Sequence, residues 1–313
     1  MESLVGALIG LTVAGLVALA WYSRRPGARS AAHTFARKVD LALDRSREVE
    51  VGRRIARREQ AGIVGGLLVA AATTLALGVR PPQDETGRFA VFLLLLAFFA
   101  GRAAGCGVVA WYESMRPVDL SHPRIARTSS PDLSDYVPGY ERIGARVIAG
   151  VALAVAFVVV LLEPSGVGDL APIPVGLALA AGVGPPIVCL VGEVVARRLL
   201  LQRQVATSTL DLAWDDALRA RTLRDVTSVA IAAGCYAPLI LLGVAGSGFP
   251  DGWPANTAVG VVDVLVVALL VGMVAMAVVS LVRRPEAHVR RQLWPREDVD
   301  GPQAVIHGFE ATP

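Results

Sequence analysis

Few residues in this 313-residue chain could do chemistry, and the most demanding is a single arginine in an apolar run. Arg102 stands near the middle of Phe89–Tyr112. An arginine at mid-membrane costs about 2.5–3.5 kcal/mol on insertion scales, so it must face other helices or a water-filled cavity. Three uses are open to it: glue between helices, a binding or conduction role, or snorkelling to the inner interface across about two helical turns. Asp263 is the acid expected to match it best in depth, roughly 10 Å outward of the middle of its own run at about 1.5 Å per residue. Glu193, beside Arg197, is expected at the interface.

Two proline clusters are expected at the same level. Gly182-Val183-Gly184-Pro185-Pro186 and Gly234-Cys235-Tyr236-Ala237-Pro238 each fall mid-run. A proline inside a helix removes a donor and frees a carbonyl one turn earlier. Broken helices at the midplane line sites in many transporters. A kink repaired by neighbouring groups is the plainer alternative. The expectation is one polar centre in which Arg102 meets Asp263, the Tyr236 hydroxyl and the backbone freed around Gly182, Pro185, Pro186 and Pro238.

Other chemistry has little support. His33, His122, His288 and His307 all lie outside the apolar runs, and no HExxH motif, Walker A loop or Rossmann glycine pattern occurs. Cys106, Cys189 and Cys235 each sit inside an apolar run, without a CxxC pair, and read as packing residues. The expectation is a non-enzyme with no catalytic residue, no metal, no cofactor and no nucleic-acid partner.

The elements that position these residues are long apolar blocks. Hydrophobic residues make up 54% of the chain and concentrate in seven blocks, roughly Leu4–Tyr22, Ala61–Val79, Phe89–Tyr112, Arg146–Glu163, Pro172–Ala196, Ser228–Gly246 and Thr257–Val282. About 18 apolar residues suffice to cross about 30 Å of hydrocarbon as a helix, and only helices or closed barrels satisfy their backbone there. The blocks lack the short alternation of barrel strands. The fold expected is therefore an all-α, polytopic transmembrane bundle of seven spans.

Charge gives the orientation. Lysine and arginine number eleven in 23–60, five in 113–146, six in 197–227 and five from Arg283 onward, against Arg80 and Arg88 in the intervening loops. With seven spans the four rich segments share one side, which the positive-inside rule makes cytoplasmic. The N-terminus is then outside and the C-terminus in the cytoplasm of a cell with a plasma membrane. Trp21-Tyr22 and Trp111-Tyr112 read as interfacial anchors. Glu2 and the absence of an early basic residue mark the first block as an uncleaved anchor. Twenty-nine arginines against the single Lys38 are the usage of a high-GC, bacterial genome.

The organisation is thus a first span (1–22), a basic helical segment (23–60), a six-span bundle of three hairpins (61–282) and a polar tail (283–313). Ala31–Gln60 reads as one charged helix, with Phe35, Val39 and Leu43 as a short stripe. Ser208 has capping-box spacing to Asp211, and Trp214 should pack on a neighbour. Pro131–Asp135 faintly echoes Leu210–Asp215. Gly6, Gly10, Ala14 and Ala18 form a small-residue face on the first span, as do Gly101/Gly105 and Gly176/Ala180/Gly184 elsewhere; such faces let helices approach closely. Two functions follow as expectations. One is a transporter or the membrane part of a transport complex, with a cytoplasmic ATPase as partner. The other is a scaffold or regulator of a membrane assembly, with another membrane protein as partner. Lipids, anionic heads included, contact either.

Overall fold

The computed structural model describes residues 2–79, 88–115, 131–162, 175–202, 204, 206, 208–246, 271–272, 275, 278–279 and 285–294, and every regular element among them is helical. The helices are α1 (Glu2–Ser23), α2 (Arg25–Val39), α3 (Arg45–Val79), α4 (Arg88–Ser114), α5 (Leu133–Tyr136), α6 (Gly139–Leu162), α7 (Val175–Leu201), α8 (Thr209–Gly246) and α9 (His288–Leu293), the last preceded by a 3₁₀ turn at Pro285–Ala287. Six of them, α1, α3, α4, α6, α7 and α8, are long and apolar enough to cross a membrane. Their outward faces carry exposed Ile9, Val17, Leu68, Phe99, Phe157 and Leu190, a surface suited to lipid rather than water. Asp263 and most of Thr257–Val282 lie outside the described residues, where only Val271, Gly272, Ala275, Val278 and Val279 are seen, all helical.

Two helices are much longer than a bilayer requires. α3 has 35 residues and α8 has 38, or about 52 and 57 Å at 1.5 Å per residue. Each continues without a break from an apolar half into a charged half. The hydropathy boundaries at 60/61 and 227/228 mark a change of surroundings within a helix, not its end. The charged halves, with α2, α5 and α9, build a second layer at one end of the bundle, termed here the basic end. Phe35, Val39, Val51, Ile55, Trp214 and Leu218 form one buried cluster in it. Tyr136, Val137, Val195, Leu199, Leu223 and Val289 form another. The stripe Phe35-Val39-Leu43 thus covers the start of α8, and the Trp214 indole donates to the Ala42 carbonyl at 2.9 Å.

Ala31–Gln60 is two helices rather than the single one expected. Asp40 adopts φ 55° and ψ 50°, and the Leu41 N–H reaches back to the Ala36 carbonyl at 3.2 Å, the left-handed stop that ends many helices. Aspartate tolerates this conformation better than most residues. Asp44 then caps the next helix by accepting from the Arg47 N–H at 2.9 Å. Packing of Phe35, Val39 and Leu41 against α8 requires the turn, which no glycine or proline announces. The cap of α8 is as its spacing implies, with the Asp211 N–H donating to Ser208 Oγ at 3.1 Å.

The prolines do not break their helices. α7 runs through Pro185 and Pro186, and α8 runs through Pro238. Pro185 and Pro238 are among the most deeply buried side chains, and Gly182 faces Ala156 of α6. Both helices are continuous at these positions.

The small-residue faces divide in the same way. Gly101 and Gly105 of α4 meet Gly65 and Ala61 of α3 so closely that a Cβ on either would collide with backbone. Among the described residues, nothing lies within 4 Å of a Cβ placed on Gly6, Gly10, Gly176 or Gly184. The face of α1 that does pack holds Gly15, against Leu67. Gly6, Gly10 and Ala14 are exposed, and Ala18 partly so. We therefore expect Gly101→Leu to lower stability by about 1–3 kcal/mol or more, and Gly10→Leu to change it by less than about 0.5 kcal/mol. Thermal unfolding in detergent distinguishes them; equal melting temperatures would contradict this packing.

Candidate functional site: a charged chamber at the base of the bundle

Where the apolar bundle meets the basic end, α3, α4, α6 and α8 hold a network of buried charge. Arg58 is its centre and is only 1% exposed. Its guanidinium donates to Glu113 and to the Thr222 hydroxyl, and reaches Asp225 at 3.5 Å. Arg54 adds a second bond to Glu113 at 3.3 Å. The next residue along α3, Glu59, turns to a different face and accepts from both Arg102 and Arg221, the latter at 2.7 Å. Arg224 forks onto Glu141 of α6 at 3.0 Å through Nε and Nη2 and approaches Glu286 at 3.9 Å. The α8 members, Arg221, Thr222, Arg224 and Asp225, are spaced i, i+1, i+3 and i+4, which brings all four within one turn.

Arg102 is thus paired with Glu59. Its side chain runs toward the basic end, with Cγ beside Gly62 and its guanidinium at Glu59. It faces the bundle and remains 36% exposed. The level it reaches is that of the end of α1, because Gln60 donates to Ser23 Oγ at 3.1 Å.

Among the described residues, the polar centre read from the sequence does not come together around it. The Tyr236 hydroxyl bonds to Thr73, fourteen residues beyond Glu59 on the same helix, or about 21 Å along the axis. Gly182, Pro185 and Pro186 belong to α7, packed on α6 and α8, and Pro238 is buried in α8. Asp263 lies outside the described residues. Glu193 does sit at an edge, 2.7 Å from Arg146.

Beside the network is a cavity of about 460 Å3. Arg102, Arg221, Arg224 and Lys38 supply its cations, and Glu59, Asp225 and Glu286 its acids. Trp21 and Tyr22 form part of the same wall. Arg221 also stacks over Phe35, 5.5 Å from the ring centre. Glu286 is supplied by the turn before α9. Burial pushes its carboxyl up, but a bond from its own backbone, then Arg224 and Lys38, outweigh this and hold it below the usual carboxylate range.

A second anchor fixes this layer. Asp216 is fully buried and accepts from Tyr136 Oη at 2.8 Å, Gln204 Nε2 at 2.6 Å and Trp294 Nε1 at 2.9 Å. It ties α5, α8 and the segment after α9 to one carboxylate. Among the described residues no group of three or more His, Cys, Asp or Glu is placed to hold a metal.

Sequence reasoning passed over Arg58, Glu59, Glu113, Glu141, Asp216 and Asp225, because charge at the rim of an apolar block reads as solvated. The available signal was the acids: Glu59, Glu113, Glu141 and Asp225 each stand at the basic margin of a different block. Comparison of the chain with family models, with curated proteins and with solved structures finds no match.

Two outcomes follow. Arg58→Met leaves Glu113 and Asp225 without their shared cation and should cost about 3–5 kcal/mol. Adding Glu113→Gln and Asp225→Asn should recover most of that loss in denaturant unfolding. Glu286 sets a pH dependence. Its folded-state value is lowered, so its contribution is complete above the unfolded value of about 4.3 and disappears as pH falls through the lower folded value. Hydrogen-exchange protection factors of 285–294, corrected for the intrinsic pH dependence of amide exchange, should be constant above about 4.3 and fall as pH drops through the lower folded value, and Glu286→Gln should remove that transition.

Proposed function

We propose that the chain is a multi-pass, non-enzymatic protein of the plasma membrane that serves as a scaffold or regulator of a membrane assembly, acting through its basic end. The observation that carries this reading is the interlocked layer itself. Charge pairs and Asp216 pin α2, α5, α8 and the 285–294 segment into a preformed surface, which suits recognition better than movement.

Seven spans, with the N-terminus outside and the C-terminus in the cytoplasm, complete the proposal. Supporting it, the described parts of the four arginine-rich segments all belong to the basic end, as expected of a cytoplasmic face. Gly246 ends the apolar half of α8, whereas Glu286 bonds at its charged half. An odd number of crossings accounts for this, with Thr257–Val282 as the seventh. The partners proposed are another membrane protein and anionic lipid heads, with no nucleic acid.

Transport is the second reading, favoured by one observation: a cavity of about 460 Å3 reaches Arg102. Against it, α7 and α8 are uninterrupted where a midplane site would need them open.

The test is purification of the tagged full chain from native membranes in mild detergent, with quantitative mass spectrometry. Arg53 and Arg57 are exposed one turn apart on α3. Under the interaction reading a stoichiometric membrane protein accompanies the wild type. It is lost from Arg53→Glu/Arg57→Glu at unchanged melting temperature. A stoichiometric ATPase or a retained solute, insensitive to that reversal, supports transport instead. The chain alone in both preparations rejects the interaction reading.

A further inference from the structure

We infer that the chamber at the base of the bundle binds a phosphate group, presented at headgroup depth by an anionic lipid. The inference is independent of the scaffold reading and rests on the chamber and on α1 as a membrane-crossing helix.

Its size, about 460 Å3, is within the range of small-molecule sites. Its wall carries four cations against three carboxylates, so an empty chamber has a positive excess. The cations are incompletely used. Arg102 and Arg221 each give one Nη2 to the same carboxylate, Glu59. Arg221 Nε is buried and has no hydrogen-bond partner among the described residues. Lys38 holds Glu286 only at 3.5 Å. Two guanidinium groups and an ammonium are the donor set that recognises phosphate oxygens. Ser30, Thr34 and Ser228 add hydroxyls around the same space.

Depth selects the lipid. Trp21 and Tyr22 close the apolar run of α1 and belong to the chamber wall. Aromatic residues in that position mark the headgroup level, where the phosphates of anionic lipids lie. Glu286 occupies the wall as an internal anion, and an incoming phosphate would compete with it for Lys38 and Arg224.

The test uses the full chain in detergent and native mass spectrometry, titrated separately with phosphatidylglycerol, phosphatidylcholine and inorganic phosphate. Wild-type protein should hold phosphatidylglycerol about five- to tenfold more tightly than phosphatidylcholine. Lys38→Gln and Arg221→Gln should each reduce that binding about five- to tenfold, and Ser30→Trp should block it by filling the chamber. Lys38 and Ser30 are exposed positions, so these two variants carry the test if Arg221→Gln fails to fold. Inorganic phosphate bound with the same residue dependence, without preference for phosphatidylglycerol, would keep the phosphate site and make its source soluble. Equal binding of the two lipids without phosphate binding, or phosphatidylglycerol binding unaffected by all the variants, overturns the inference.

Discussion

A guanidinium that is almost entirely removed from solvent must have its charge matched, and Arg58 organises the base of this protein around that requirement. Its partners come from α4 and α8, so satisfying one side chain fixes three helices. A buried ion pair adds little net stability compared with an apolar pair of the same shape, yet breaking one is expensive. Such a network is better understood as specifying an arrangement than as strengthening it. Here the specified arrangement is the register of α3 against α4 and α8 where the apolar packing ends.

On one side of that level the packing is apolar. Glycines of α3 and α4 meet backbone to backbone, and Leu93, Val155, Ala181, Leu239 and Leu242 fill the space between α4, α6, α7 and α8. Lipid offers no hydrophobic drive between helices, so close approach and packing must hold them together. On the other side the helices continue into a water-facing layer with its own apolar clusters. α3 and α8 are shared by both layers, and the chamber forms where neither packing scheme fills the space.

The cavity joins these two regimes chemically. Its arginines are paired, but not all their donors are used, and its wall mixes interfacial aromatics with hydroxyls and carboxylates. A cluster of charges that only stitched helices together would be expected to close on itself. This one leaves Arg102 more than a third exposed, and that residual capacity gives the base of the bundle a chemistry of its own.

Much of the architecture was legible in the sequence, because hydrophobic length reports directly on a membrane's thickness. Helix type, the apolar runs now seen as α1, α3, α4, α6, α7 and α8, the cap at Ser208 and the burial of Trp214 are all local consequences of composition and spacing. The site was not legible. Arg102 stood out because it interrupts an apolar run, but its partner, Glu59, looked like one more charge in a solvated helix. Pro185, Pro186 and Pro238 allowed either a broken helix or a kink, and α7 and α8 run through them. Gly6 and Gly101 carry the same four-residue spacing, and only the tertiary structure decides that Gly101 meets a backbone and Gly6 faces outward. The physical reason is common to these cases. A sequence determines what each residue needs, whether burial, a counter-charge or a donor, and only the packing of distant helices decides which group supplies it.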